Sequence, residues 1–449
     1  MYITRLSAKK FKCFDSIDIE LPKLTLFTGA NSSGKSSLLH ALLVPFQSHG
    51  FPLYLSPNGK YVNMGDFYSM AHCNRRREII HLDFTIQTEK SDVLEFKTSW
   101  MLDPTSSLPQ LKDLHARGNF LNISIQKISD RSGYIAHLQH AKGLSKQDEF
   151  KFSKQVVTYV IDSIEKHQPK ELEHKKPKKT LYDVQQRLFA LTNIRGRRFP
   201  DIEQLQTQLR SMMFVPRLFA AFSTLDNRFN FISSFRLEPE RTYYQRAKAD
   251  RKIGRSGENH IEQIFEWERR RAPEFSALQN SLKNLGLISG LRTHPIKGGR
   301  LEVTVKADRG GIWASLTDVG FGISQFLPIA VADFQLPEGS TLAVAQPEIH
   351  LHPKLQAALG NYLVERVQKH NRRYILETHS EYLLNRIRLL IVKGDIEPSE
   401  IGIYYFQCSG CKTRVYRVTF TKSGKIEGAP QDFFDTYMMD VMDIAMKAK

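Results

Sequence analysis

The chain of 449 residues contains no apolar run approaching the roughly 18 residues that a membrane-spanning helix needs. The best candidate, residues 326–334, is too short to cross a bilayer. The N-terminus, residues 1–12, is basic but lacks the apolar centre of a secretory signal. These absences predict a cytoplasmic protein with no membrane partner.

Cysteine is scarce, with four in the whole chain, and this excludes a disulfide scaffold. Only Cys408 and Cys411 have the spacing of metal ligands. A structural zinc ion needs two further ligands, and the other two cysteines do not form a second pair. We therefore expect Cys408 and Cys411 at the turn of a β-hairpin that joins residues 403–406 to residues 414–420.

Acidic residues are outnumbered, with 47 Asp and Glu against 64 Lys and Arg, so the formal net charge is +17. Residues 165–255 hold 20 basic and 10 acidic side chains and contribute +10 of that total. Such a surplus suits nucleic acid or another polyanionic partner. A solvated helical surface explains the same composition equally well, and both interpretations stay open.

Hydrophobic patterning predicts an α/β protein with four regions. After residue 317, strands are expected at 341–345 and 373–377, between helices at 323–334, 353–368 and 381–391. Residues 102–230 show helical patterns at 154–166 and 181–191, interrupted by proline and lysine, which predicts a largely helical, basic insertion. The expected regions are an N-terminal lobe (1–101), this insertion (102–230), a C-terminal lobe (231–435) and a tail (436–449).

Residues 29–36, GANSSGKS, match the pattern G-x-x-x-x-G-K-[ST] between a predicted strand at 24–27 and a helix at 36–44 that Pro45 ends. The glycines permit close approach, and the loop amides can cradle phosphate at a helix N-terminus. Lys35 should reach the β- and γ-phosphates, and the Ser36 hydroxyl should hold Mg²⁺. The nucleotide-binding residues predicted here are Gly29, Ala30, Asn31, Ser32, Ser33, Gly34, Lys35, Ser36 and Ser37.

Three C-terminal segments narrow the choice among kinases, GTPases and ATPases. Residues 318–325, DVGFGISQ, form a glycine-rich turn that opens a helix, which suits a second phosphate-recognition element. Residues 341–353, TLAVAQPEIHLHP, run from an apolar strand into a polar turn. Residues 375–380, ILETHS, end another strand with a polar cluster.

The order of these segments resembles that of ABC-type ATPase heads of the RecF, SMC and OLD kind. More narrowly, it is similar to the AAA-family ATPases of bacterial anti-phage defence systems, such as PtuA of Septu and AriA of PARIS. The resemblance covers about residues 1–100 and 230–435. It implies an α/β fold, with a mixed β-sheet flanked by helices, that binds ATP and Mg²⁺.

The resemblance also implies residue roles. His379 would contact the γ-phosphate. A signature-like element would act across a dimer interface on the partner's ATP, and the loop 351–353 would lie beside that interface. The signature-like residues are Gly320, Gly322, Ser324 and Gln325. The candidate catalytic residues are Lys35, Gln346, Glu348 and His379.

One departure from the family pattern concerns the acid that normally ends the Walker B strand. The acid position holds Ala345, followed by Gln346. A methyl group cannot hold metal-bound water, and an amide cannot act as a general base. Glu348 and Glu377 are the nearest carboxylates in sequence, but neither stands at the usual place. Ala345 indicates either a naturally slow ATPase or a deliberate substitution of Glu or Asp, and we favour the second because every other nucleotide-contacting element is intact.

The leading functional hypothesis is an ATP-binding subunit that self-associates through ATP-sandwiched heads and gates a separate effector, a nuclease, in anti-phage defence. Hydrolysis is expected to be impaired by Ala345. One alternative is a DNA-repair ATPase of the RecF or SMC type, although residues 102–228 are too short and too interrupted for a long coiled coil. Another is a non-hydrolysing, nucleotide-dependent scaffold.

Overall fold

The computed structural model describes residues 1–48, 51–75, 78–89, 92–118, 121–127, 134–140, 221–244, 252–307, 310–410, 412–430 and 433. Its strands are β1 (Tyr2–Phe11), β2 (Phe14–Glu20), β3 (Leu24–Gly29), β4 (Ile80–Gln87), β5 (Val93–Leu102), β6 (Pro109–Arg117), β7 (Leu121–Lys127), β8 (Tyr134–His140), β9 (Phe229–Ile232), β10 (Tyr243–Tyr244), β11 (Gly290–Ile296), β12 (Arg300–Lys306), β13 (Trp313–Ser315), β14 (Thr341–Ala345), β15 (Arg373–Glu377), β16 (Ile401–Ser409), β17 (Lys412–Phe420) and β18 (Ile426–Glu427). Its α-helices are α1 (Lys35–Gln47), α2 (Phe67–Met70), α3 (Ala221–Asp226), α4 (His260–Arg269), α5 (Pro273–Leu285), α6 (Phe321–Gln335), α7 (Pro353–His370) and α8 (Glu381–Lys393).

The central sheet has the strand order β18-β17-β16-β3-β15-β14-β9. Strands β16, β3, β15, β14 and β9 run parallel, whereas β17 and β18 are antiparallel additions at one edge. Strand β15 therefore separates β3 from β14. Because parallel strands end at the same edge of a sheet, the segments that follow β3, β9, β14 and β15 meet there.

The parallel strands are buried on both faces, and alternate residues enter two different cores. In β14, Ala343 and Ala345 face the core that contains α1 and the N-terminal sheet. Their neighbours Leu342 and Val344 face the core that contains α4 to α8. The predicted α/β class, with a mixed sheet flanked by helices, is confirmed.

A second sheet is wholly antiparallel and has the order β2-β1-β4-β5-β6-β7-β8. It packs over α1, and residues of β1, β4, β5 and α1 share one hydrophobic core. A smaller sheet is formed by β10 to β13. No helix among the described residues has both the length and the apolar character required to span a bilayer.

The structure differs from the expected helical insertion over residues 102–140, whereas α3 at 221–226 is helical. Strand β5 continues to Leu102, and β6 to β8 extend the antiparallel sheet through residue 140. The reason is the alternation of buried and more exposed residues in β6, where Leu111, Leu114 and Ala116 are buried. Strand β9 crosses the expected boundary at residue 230 and pairs with β14. Residues 141–220, with the predicted helices at 154–166 and 181–191 and much of the basic stretch, lie outside the described residues, as does the tail 436–449.

Other predicted elements agree closely with the structure. Strands β14 and β15 have the predicted bounds, and β16 and β17 form the predicted C-terminal hairpin. Helix α1 differs, because it continues through Pro45 to Gln47. A proline in the last turn removes one backbone hydrogen bond, while Val44 and Phe46 on either side are buried in the core.

His260, the first residue of α4, is expected to make folding sensitive to acid. Its Nδ1–H donates to the Gly257 carbonyl at 2.6 Å, and its Nε2 is buried without a partner among the described residues. Burial lowers its pKa from 6.5 to about 4. The unfolded chain therefore takes up the proton first as the pH falls, and stability present above pH 6.5 is lost between that pH and 4.

For this group alone, the free energy of unfolding should fall by about 1 kcal/mol between pH 7 and pH 5.5. Urea denaturation of the protein and of His260→Gln at both pH values measures this difference. The variant should show the smaller loss, since glutamine does not titrate. Equal losses in the two proteins would contradict the prediction.

Candidate nucleotide-binding site

The loop between β3 and α1 depends on two glycines with positive φ. Gly29 has φ of 130°, and a Cβ there would lie 2.2 Å from the Phe406 carbonyl oxygen. Gly34 has φ of 105°, and a Cβ there would lie 2.6 Å from the Cys13 sulfur. Both conditions exclude a side chain. The sequence places these glycines where the chain turns from strand into helix, so the amides of the first turn of α1 are left for a ligand.

Lys35 is the first residue of α1 and is only 3% exposed. Its Nζ donates to the carbonyl oxygens of Gly29, at 3.0 Å, and Ala30, at 2.7 Å. Burial lowers the pKa of the ammonium group, and the charges of Glu377 and Glu348 oppose that shift. The loop thus holds a shielded cation through neutral oxygens, which a phosphate can replace as partners of the ammonium group.

Ser36 donates its hydroxyl to the Glu377 carboxylate, with Oγ 2.9 Å from Oε1 and 3.1 Å from Oε2. Glu377 ends β15, the strand beside β3, so its side chain reaches the start of α1. Burial raises the pKa of Glu377, while the Ser36 hydroxyl and the charge of Lys35 act in the opposite direction. Glu377 was not among the predicted site residues. Its position as the last residue of a buried strand, directly before Thr378 and His379, is the signal that would have indicated it.

The predicted Walker B position lies beside this pair. Ala345 and Glu377 are partners in the parallel register of β14 and β15. Gln346 follows in a left-handed conformation with φ of 49°, and its N–H donates to the Glu377 carbonyl at 2.7 Å. A non-glycine residue at such an angle is uncommon and marks a sharp turn out of the strand.

Glu348 lies after this turn and is buried. Its Oε1 accepts the His379 backbone N–H at 2.7 Å, and its Oε2 has no hydrogen-bond partner among the described residues. Burial raises the pKa of Glu348, and the His379 N–H opposes that shift. A buried acid with a free oxygen is a candidate proton acceptor for a bound water.

Arg236 is a second residue that the sequence did not single out for this site. Its Nη2 donates to the carbonyl oxygens of Ala345, at 2.8 Å, and Gln346, at 3.0 Å. Burial lowers its pKa to about 10, and the charge of Glu348 opposes that shift. Since Arg236 follows β9, the neighbour of β14, it fixes the Walker B turn from the side opposite Glu377.

His379 lies on the exposed surface of the same edge, while its backbone is held by Glu348. Partial burial of the ring lowers its pKa, and the nearby Lys35 charge lowers it further. Ser380 caps α8 by accepting the Leu383 N–H at 3.0 Å, and its hydroxyl donates to Gln356 Oε1 at 2.6 Å. His379 is therefore presented by a fixed turn next to Lys35.

The four signature-like residues divide into two kinds. Gly320 and Gly322 lie at the N-terminus of α6, where Gly320 faces open space and a Cβ on Gly322 would lie 2.8 Å from the His350 carbonyl oxygen. Ser324 and Gln325 are buried and hydrogen-bond to the carbonyls of Phe321 and Leu237. The structure thus brings the signature-like residues to the loop after β14. The backbone amides at the N-terminus of α6 are available to a ligand, whereas the Ser324 and Gln325 side chains are not.

The side chains near the P-loop suit Mg²⁺. Mg²⁺ prefers oxygen ligands and is commonly bound by one or two carboxylates together with substrate phosphates. The Ser36 hydroxyl and the Glu377 carboxylate provide such oxygens at the start of α1. Among the described residues, no group of three or more His, Cys, Asp or Glu side chains could hold a metal ion without such a substrate.

A glycine-bounded loop with a buried lysine, set at the carboxyl edge of a parallel sheet, is the geometry of a P-loop nucleotide-binding protein. The chain belongs to the AAA ATPase domain family, whose model matches residues 1–384. It is therefore an ATPase-family protein of α/β fold.

Similar solved structures include SMC head domains. The "SMC head domain from Thermotoga maritima" is 10% identical, with a TM-score of 0.41, over 93% of this chain and 99% of that chain. An SMC head with an extended coiled coil, bound to the C-terminal domain of ScpA from Pyrococcus furiosus, is 13% identical, with a TM-score of 0.38, over 100% of this chain and 99% of that chain. Both likenesses are distant, and the family assignment rests on the sequence model.

Proposed function

We propose that this protein binds ATP with Mg²⁺, hydrolyses it slowly, and uses the bound nucleotide to control its own association. The observation that carries the proposal is the buried Lys35 beside the Ser36–Glu377 pair, at the start of α1. A buried lysine held by loop carbonyls and a hydroxyl that faces a carboxylate match the two needs of a nucleoside triphosphate and its metal.

The residues of the site would divide the work as follows. Lys35 and the amides at the start of α1 bind the phosphates and orient them. His379 contacts the γ-phosphate, and Glu348 accepts a proton from the attacking water through its free Oε2. Mg²⁺, when bound, neutralises charge on the phosphates. Turnover is slow because Ala345 and Gln346 leave the end of β14 without an acid, so proton transfer depends on Glu348 in the turn that follows.

Self-association is proposed to involve the carboxyl edge of the central sheet. Phe235 follows β9 and is 87% exposed, and Phe321 at the start of α6 is 53% exposed. Leu237 is exposed as well. Large apolar side chains on the edge that carries the P-loop suit an interface better than solvent. A second copy docked there would bring its own N-terminus of α6, with Gly320 and Gly322, to the nucleotide bound by the first copy.

Sedimentation velocity with Mg²⁺ and a non-hydrolysed ATP analogue tests this proposal. We expect a dimer with nucleotide and a monomer without it. Phe321→Ser should weaken the dimer by roughly 1 to 3 kcal/mol, because a buried aromatic anchor is lost. Val392→Ser is the matched control, since Val392 is also exposed but lies at the far end of α8. A sedimentation coefficient that does not depend on nucleotide would refute the proposal.

The wider role that we propose is control of a separate nuclease effector in anti-phage defence, within the cytoplasm. Its support is the motif order that resembles such ATPases. The basic stretch 165–255 would bind nucleic acid or an acidic effector, and a steep loss of binding with salt would identify nucleic acid. A RecF- or SMC-type DNA-repair ATPase is the alternative, and DNA-stimulated hydrolysis without an effector would favour it.

A further inference from the structure

The chain lacks an acid at the end of β14, yet its P-loop serine already faces a carboxylate. Glu377 places both carboxylate oxygens within 3.1 Å of Ser36 Oγ. The pair joins residues 341 positions apart in the chain, so the tertiary fold alone creates it. Glu377 is also buried, at 6% exposure, and this keeps the carboxylate in a defined place.

We propose that Glu377, on β15, performs the metal-holding role that Ala345 on β14 cannot perform. The acid on the metal side of the site therefore lies on β15 and not on β14. This inference rests on the proposed nucleotide site and assigns Glu377 to its metal ion. It adds a third explanation of Ala345, since a protein with its metal-side acid at 377 needs none at 345.

The strand register makes this exchange possible. Ala345 and Glu377 are direct partners across β14 and β15. Ala343 and Ile375, two residues earlier on each strand, face the same core, so Ala345 and Glu377 point to the same face of the sheet. Two carboxylates in these places would repel each other, and one would be driven to bind a proton. A small residue at 345 leaves Glu377 beside Ser36 without a second carboxylate at its partner position on β14.

Glu348, the other nearby acid, is held at one oxygen by the turn after β15. Its Oε1 accepts the His379 N–H at 2.7 Å, and the charge of Arg236 lies close to it. Glu377 instead directs its carboxylate at the Ser36 hydroxyl, the group that approaches the metal in a P-loop. The two acids therefore have separate tasks, with Glu377 beside the metal-facing Ser36 and Glu348 beside His379.

The test measures binding of a non-hydrolysed ATP analogue by calorimetry, once with excess EDTA and once with Mg²⁺. The protein should bind in both conditions and more tightly with Mg²⁺. Glu377→Gln should bind similarly in EDTA but lose roughly 10- to 100-fold of the gain that Mg²⁺ provides. Glu381→Gln, which removes a carboxylate from the first turn of α8, is the matched control and should keep the full gain. Urea denaturation confirms that each variant is folded.

The outcomes separate the two proposals. Failure of the unmodified protein to bind the analogue in either condition would refute the proposed function, and the role of Glu377 with it. Binding without any gain from Mg²⁺, or a Glu377→Gln variant that keeps the whole gain, would overturn the role of Glu377 and leave the nucleotide site standing.

Discussion

Lys35→Ala is expected to weaken ATP binding by about 2 to 5 kcal/mol, which corresponds to roughly 30-fold to several-thousand-fold in Kd. The ammonium group is buried and is held by loop oxygens of Gly29 and Ala30 and, more distantly, by the Ser33 hydroxyl. A phosphate that enters this loop would meet a desolvated charge, and such contacts are strong. The slow phosphate release of the protein should fall to the level of a blank in this variant.

The control for Lys35→Ala is Lys23→Ala. Lys23 precedes β3, at the opposite end of the same strand, and pairs with Glu400 at 2.8 Å on the protein surface. Its removal should leave ATP affinity unchanged. Calorimetry and phosphate release on both variants decide the matter. Equal affinities for Lys35→Ala and the unmodified protein would show that the loop does not bind phosphate.

Asp333→Ala is expected to destabilise the fold by about 3 to 5 kcal/mol, since it leaves buried cations without their partner. Asp333 lies on α6 and is completely buried. Arg366 Nε is 2.7 Å from Asp333 Oδ2, and Arg372 Nε is 2.8 Å from Oδ1. The Tyr362 hydroxyl also donates to Oδ2, at 2.5 Å. One side chain thus joins α6 to α7 and to the segment before β15.

Glu365→Ala, on the helix α7 that carries Arg366, provides the comparison for Asp333→Ala. Glu365 pairs with Lys369 at 2.9 Å, one turn along α7, and both side chains are exposed. Such a pair contributes roughly 0.3 to 0.5 kcal/mol. Urea denaturation of the two variants should therefore give losses that differ by several-fold. A loss below 1 kcal/mol for Asp333→Ala would show that the buried network does not stabilise the fold.

The strands that end in the site could be predicted from the sequence because their signals are local. Thr341–Ala345 and Arg373–Glu377 are short apolar runs followed by polar turns, and the structure gives them the predicted bounds. The P-loop is local as well, since its glycines, lysine and serine lie within eight residues. The strands from Pro109 to His140 were missed because these segments are rich in polar residues, which makes their alternating pattern weak. They are strands because each pairs with the next at the edge of the antiparallel sheet.

By itself, the sequence determined that this protein has an α/β fold with a phosphate-binding loop, since glycine positions and hydrophobic periodicity act over a few residues. Only the tertiary structure decided which acid lies beside that loop. Ser36 and Glu377 meet because β15 inserts between β3 and β14, and strand order is a long-range property that no local pattern encodes. The same insertion places Ala345 beside the carboxylate of Glu377. The position that lacks an acid in the sequence therefore has one next to it in the fold.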